Sequence, residues 1–143
     1  MKRTILIVED EADLAATCVR LFRRQGWQVE TADTRRVAMG VVARRPALII
    51  VDRQLPDGDG LDVVRAAYAT GTPVIVISGH DWAGTRRLAL DEGAAAFLGK
   101  PFSTHELLGL VRDILGEPPA GTPRVPPPPG CSAPRRSAPG LPG

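Results

Sequence analysis

Leu48-Ile49-Ile50-Val51-Asp52 is the stretch that decides the fold. Four apolar residues stand in a row and three of them are β-branched, the composition of a strand buried on both faces. The run stops at a carboxylate. Turn chemistry follows at once in Arg53-Gln54-Leu55-Pro56-Asp57-Gly58-Asp59-Gly60. A lone acid at the C-terminal end of a buried strand sits where open α/β sheets place their ligands and chemistry.

Upstream, Ile5-Leu6-Ile7-Val8 is a second run of this kind and also ends in acids, Glu9-Asp10-Glu11. Between the two, Leu14, Cys18, Leu21 and Phe22 form one stripe of a helix that Gly26 ends. Trp27-Gln28-Val29-Glu30-Thr31 alternates as an edge strand does. Thr34 is placed to cap a second helix with its stripe at Val37, Val41 and Val42, closed by Pro46. Downstream, Leu61, Val64 and Tyr68 mark a third helix, ended by Gly71-Thr72-Pro73. Val74-Ile75-Val76-Ile77 is a further buried strand, ending at Ser78-Gly79-His80. A short helix is expected around Thr85–Glu92, stopped by Gly93, and a weaker strand at Ala95-Ala96-Phe97-Leu98. Ser103-Thr104-His105-Glu106 reads as a capping box, opening a helix with Leu107, Leu108, Val111, Ile114 and Leu115 on one face.

Strict alternation of five strands and five helices predicts an α/β fold, a doubly wound (βα)5 with a five-stranded parallel sheet. The three fully apolar strands belong at its centre. The 143 residues suit one domain, and no apolar run approaches the ~20 residues of a membrane span. The first ten residues do not form a secretory leader, so a cytoplasmic location and no membrane partner are expected. Cys18 and Cys131 make no disulfide framework. Residues 1–116 hold 15 Lys+Arg against 15 Asp+Glu, so the net charge of +2 comes from residues 117–143. A neutral domain argues against direct nucleic-acid binding. Residues 117–143 include 10 Pro and 4 Gly, which predicts a disordered Pro/Gly-rich tail after a domain of residues 1–116.

A parallel sheet brings the C-terminal ends of all strands to one edge. Glu9, Asp10, Asp52, Ser78 and Lys100 meet there. Like charges ~4 Å apart repel by ~4 kcal/mol at an effective dielectric of 20, so three carboxylates call for a cation. All-oxygen ligands with few protein donors suit Mg²⁺. A carboxylate beside Mg²⁺, with a lysine and a hydroxyl at hand, is equipped to accept a phosphoryl group: the carboxylate is the nucleophile, and the cations neutralise charge on the phosphoryl oxygens. Singly, each residue has a plainer reading as a cap, a strand-end hydroxyl or a solvated lysine. Their order at successive strand ends carries the functional one.

The order Glu9-Asp10, Val51-Asp52, Ile77-Ser78-Gly79 and Lys100-Pro101-Phe102, with Pro56, Gly60 and Gly93, resembles the receiver domain of two-component response regulators over residues 4–116. The resemblance implies a flavodoxin-like fold with strand order 2-1-3-4-5. It implies Asp52 as phosphoacceptor. It makes Glu9, Asp10, Asp52 and the backbone carbonyl of Gln54 the metal site, Ser78 and Phe97 the switch pair, Lys100 the phosphoryl-binding lysine, and the bond to Pro101 cis. It implies a sensor histidine kinase or histidine phosphotransfer protein as donor. The downstream protein would meet the face of helix 4, strand 5 and helix 5, where Arg86 and Arg87 lie, and a homodimer on phosphorylation is a further expectation. Such a chain is not an enzyme but assists its own phosphorylation and dephosphorylation. Gln54 and His80 hold positions that tune phosphoryl lifetime in relatives. Two departures stand out: Glu9 where Asp is common, and Phe97 where Tyr is frequent.

Alternatives remain open at this point. A haloacid-dehalogenase-type phosphatase needs a second Asp where Gln54 stands. A flavin binder needs a phosphate-cradling loop where Glu9-Asp10-Glu11-Ala12-Asp13 stands. A phosphorylation-independent docking module usually lacks an acid or the lysine. An N-terminal fragment of a longer DNA-binding regulator would share every feature above.

Overall fold

The computed structural model describes residues 3–118, and the tail expected at 117–143 lies outside the described residues but for its first two. Five strands alternate with five helices: β1 (Thr4–Val8), α1 (Ala12–Arg24), β2 (Gln28–Ala32), α2 (Arg35–Val42), β3 (Leu48–Asp52), α3 (Leu61–Thr70), β4 (Val74–Ser78), α4 (Trp82–Asp91), β5 (Ala96–Gly99) and α5 (Thr104–Leu115). All pairings in the main sheet are parallel, in the order β2-β1-β3-β4-β5. The expected doubly wound sheet is therefore present. The turn after Asp52 holds one addition, a two-residue antiparallel ladder of Gln54-Leu55 with Gly58-Asp59.

β1, β3 and β4 are buried at every residue, and β2 and β5 are the partly exposed edges. Side-chain alternation sorts the apolar residues onto two faces. Leu6, Val8, Ile49, Val51, Val74 and Val76 face α2, α3 and α4 through Ala38, Val41, Val42, Val63, Val64, Ala67 and Ala89. Ile5, Ile7, Leu48, Ile50, Ile75 and Ile77 face α1 and α5 through Cys18, Phe22, Leu107 and Val111. Each such side chain is worth about 1.5–3 kcal/mol when fully buried. A strand with four of them holds its terminal carboxylate in place at the sheet edge.

Two helix stripes differ from the expected ones. Val37 is 48% exposed, while Ala38, Val41 and Val42 face the core of α2. Tyr68 is 69% exposed, while Leu61, Val63, Val64 and Ala67 are buried in α3. In both, a fully buried alanine packs in the core. The buried face is set about one residue away from the expected one, so the alanine turns inward with the neighbouring valines and the large residue stands outside. The Tyr68 ring rests instead on Gly93, where an added Cβ would lie 2.4 Å from Tyr68 Cδ1. α4 begins at Trp82, not near Thr85, because Asp81 caps it: its carboxylate accepts from the Gly84 amide at 3.3 Å. The other punctuation holds. Thr34 Oγ1 accepts from Val37 N at 3.1 Å, and Ser103 and Glu106 form the reciprocal capping box.

Candidate functional site

The last residue of β3, Asp52, pairs in register with Ile77, and Ser78 pairs with Gly99, one residue before Lys100. Register alone thus delivers the phosphoacceptor candidate, the hydroxyl and the lysine to one edge. Asp52 and Glu9 are buried, at 4% and 3% exposure, and Asp10 is exposed. The loop after Asp52 turns back on itself, and the Gly60 amide donates to the Arg53 carbonyl at 2.7 Å. A Cβ at Gly60 would come within 2.2 Å of the Asp52 carbonyl oxygen, so only glycine permits this approach.

Lys100 Nζ is the hub. It donates to Asp52 Oδ2 at 2.7 Å and to Glu11 Oε1 at 3.0 Å, and it lies 3.0 Å from Glu9 Oε1. The other Asp52 oxygen, Oδ1, accepts from the Gln54 amide at 2.9 Å, and Glu9 Oε2 accepts from the Glu11 amide at 3.0 Å. Glu9 Oε1 is within ion-pair distance of Lys100 but has no hydrogen-bond donor in proper geometry, which leaves a buried carboxylate oxygen underserved. Burial pushes the Glu9 carboxyl up. The Glu11 amide and the Lys100 ammonium oppose that rise, and the nearby Asp52 charge adds to it. Burial alone would lower the Lys100 pKa. Hydrogen bonds to Asp52 and Glu11 and the close Glu9 carboxylate outweigh it and hold the ammonium above the ordinary lysine range.

Carboxylate oxygens of Glu9, Asp10 and Asp52 all lie within 4.8 Å of one another. Three hard oxygen donors, one of them buried without a proper partner, fit a small divalent cation. The residues expected to form the metal site are thus brought together on their side chains. Gln54 begins the short ladder, with its own amide on Asp52.

The switch candidates are placed differently. Ser78 is fully buried, and its hydroxyl is turned to its own loop, not to Asp52: Oγ donates to the His80 carbonyl at 3.0 Å and accepts from the His80 amide at 3.1 Å. Phe97, on β5, is half-buried and packs on the α2–α4 side of the sheet. The Lys100–Pro101 bond is cis, as expected. Arg86 and Arg87 are exposed on α4.

Two participants, Glu11 and Thr85, escaped the sequence reading, while His80 stands beside the site as expected. Glu11 reaches Lys100 from the start of α1, and its only signal was being the third acid in a row. His80 Nδ1 lies 2.7 Å from Gln54 Oε1, spanning the mouth of the site. Thr85 is buried at 1% exposure in α4 and accepts from Arg53 at 2.8 Å. A hydroxyl at a core position of that helix was the signal for it, hidden while the helix start was misplaced.

Fold and site together define a class: a five-stranded parallel α/β domain presenting an acid cluster and a lysine at the carboxyl edge of its sheet. The family profile of the response regulator receiver domain matches residues 5–112, and the chain belongs to that family, the receiver domains of two-component systems. It is 35% identical over 114 residues to the response regulator MprA of Mycolicibacterium vanbaalenii, covering 78% of this chain and 49% of that protein. It is 37% identical over 113 residues to the KDP operon transcriptional regulatory protein KdpE of Escherichia coli, covering 78% and 50%. The chain therefore spans about half the length of these curated relatives. Among solved structures, the receiver domain of sensor histidine kinase PA1611 from Pseudomonas aeruginosa, with magnesium in its active-site cleft, matches with a TM-score of 0.72 at 26% identity, covering 82% of this chain and all of that one. No helix among the described residues is long and apolar enough to cross a membrane.

Proposed function

We propose that this receiver accepts a phosphoryl group on Asp52 from a phosphohistidine of a sensor kinase or phosphotransfer protein and passes the change on through protein contacts. The observation that carries the reading is the Asp52 carboxylate itself: buried at the end of the central strand, 2.7 Å from Lys100 and within 4.8 Å of two further carboxylates. In the transfer, an Asp52 oxygen attacks phosphorus, the phosphorus–nitrogen bond breaks, and the donor imidazole leaves with the electron pair. Lys100 exchanges its bond to Asp52 Oδ2 for one to a phosphoryl oxygen. Glu9, Asp10, Asp52 and the Gln54 carbonyl would hold Mg²⁺, which supplies positive charge where the phosphoryl oxygens gather it.

Ser78 then gives up the His80 carbonyl and donates to the new phosphoryl group, and Phe97 fills the space it leaves. The α4–β5–α5 face reads out that change, with Trp82, half-exposed on the first turn of α4, and Arg86 and Arg87 beyond it. A ligand that favours the active state by about 5.5 kcal/mol moves a 1:99 equilibrium to 99:1. On this reading the chain is a phosphoacceptor and not an enzyme, works in the cytoplasm, and pairs with a second copy when phosphorylated. Output through a DNA-binding segment, which the name of KdpE suggests for that protein, is the alternative.

Intact mass after incubation with Mg²⁺ and acetyl phosphate tests the chemistry. The expected result is a gain of one phosphoryl group, absent in Asp52→Asn and abolished by chelator. A folded, metal-supplied wild-type chain that gains nothing from either acetyl phosphate or a phosphorylated kinase domain overturns the reading.

A further inference from the structure

The His80 carbonyl has two hydroxyl donors. Ser78 Oγ reaches it at 3.0 Å and Thr85 Oγ1 at 3.3 Å. Thr85 sits at 1% exposure on the core-facing side of α4, a position that would otherwise take an apolar residue. Its oxygen also accepts from Arg53 Nη1 at 2.8 Å. Arginine has only donors, and a hydroxyl has one proton. With a lone pair given to Arg53, that proton remains for the His80 carbonyl. Arg53 is itself held: its amide donates to the Ile77 carbonyl at 2.9 Å, and its Nε lies 3.5 Å from Asp59. It follows Asp52 directly in the chain.

We infer that Thr85, oriented by Arg53, is the donor that takes over the His80 carbonyl when Ser78 leaves for the phosphoryl group. This rests on the phosphoacceptor reading above. His80 itself is exposed, but its carbonyl is held between the buried hydroxyls of Ser78 and Thr85, and losing one of those donors without a replacement opposes the switch. The longer 3.3 Å contact is free to shorten once Ser78 has gone. The same chain ties α4 to the residue next to Asp52, so movement of the phosphoacceptor loop and the start of α4 are coupled through two side chains. Thr85 and Arg53 are positioning residues: they act through His80 and Ser78.

The test is an equilibrium titration of the full chain with Mg²⁺ and beryllofluoride, a phosphoryl mimic, followed by tryptophan fluorescence. Thr85→Val should bind the mimic about fivefold more weakly, the equivalent of one lost hydrogen bond. Thr85→Ser, which keeps the hydroxyl, should stay within about twofold of wild type. Arg53→Met should weaken binding, and adding it to Thr85→Val should cost nothing more. In a Ser78→Ala background the Thr85→Val effect should vanish, since no hydroxyl leaves the carbonyl. Wild-type affinity in Thr85→Val, or an equal loss in the Ser78→Ala background, overturns the inference while leaving Asp52 phosphorylation intact. No response in folded wild type removes the phosphoacceptor reading and the inference with it. Should Thr85→Val fail to fold, Arg53→Met in the two Ser78 backgrounds makes the same comparison on a part-exposed side chain.

Discussion

At the ends of β1, β3 and β5 the polar atoms carry charge. Asp52, Glu9 and Glu11 converge on one ammonium, Lys100, at 2.7–3.0 Å. At the end of β4 and the start of α4 the contacts around the His80 carbonyl are mostly neutral: the Ser78 and Thr85 hydroxyls share it, and the charge that reaches them, Arg53, is spread over a guanidinium. The two regions sit side by side on one sheet edge but obey different energetics. Removing one partner of a buried ion pair costs about 3–5 kcal/mol, because the other charge is left behind. A neutral hydrogen bond is worth about 1 kcal/mol net, because water offers nearly the same exchange. The charged region is thus suited to holding a fixed electrostatic frame, and the neutral one to trading partners at small cost.

Lys100→Met breaks the charged region hardest. It should destabilise the metal-free chain by about 3 kcal/mol at neutral pH, read by urea unfolding, since buried Glu9 and Asp52 lose their shared cation. Mg²⁺ should return more stability to this variant than to wild type. A loss below about 1 kcal/mol would show that the two regions do not differ in kind.

Asp10→Asn probes the same frame at its exposed corner. Saturating Mg²⁺ at a hundredfold excess over Kd should stabilise wild type by about 2.7 kcal/mol. Asp10→Asn should lose most of that gain, while its metal-free melting temperature should match or exceed that of wild type because one of three like charges is removed. An unchanged Mg²⁺ response would remove Asp10 from the metal site.

The smallest effect belongs to the loop that joins both regions. Asp57 caps α2 from outside, accepting from the Arg35 and Arg36 amides at 2.6 and 2.9 Å. Those amides hold its carboxyl below the usual aspartate range, the Arg35 amide contributing most. A depressed carboxyl stabilises the fold above its unfolded pKa, about 3.9, and loses that contribution as pH falls through the lower folded value. Asp57→Ala should therefore be less stable than wild type at pH 6, and the gap should close in acid below about pH 4. A gap independent of pH would mean that the cap acts through packing and not through charge.

The uneven legibility of the site follows the same division in part. The charged residues could be read because each ends an apolar run: Val8 precedes Glu9, Val51 precedes Asp52, and the chain holds only two lysines, one of them Lys100. Of the neutral partners, Ser78 could be read because it too ends an apolar run, whereas Thr85 could not, because a threonine within a helix is common. Glu11 and Asp57 lay in stretches with several acids, and nothing in their neighbours distinguishes which one turns inward.

By itself the sequence determined the parallel sheet, its three buried strands, the caps at Thr34 and Ser103 and the carboxyl-edge meeting of Glu9, Asp10, Asp52, Ser78 and Lys100. These follow from local periodicity and from the one edge that βα alternation permits. Only the tertiary structure decided that Ala38 and Ala67 would be buried in place of Val37 and Tyr68, that Lys100 would bind three acids at once, and that Arg53 would reach Thr85 across to α4. Those outcomes depend on which face a helix turns to the sheet and on which side chains, distant in sequence, have room to meet, and neither is encoded in the spacing of residues along the chain.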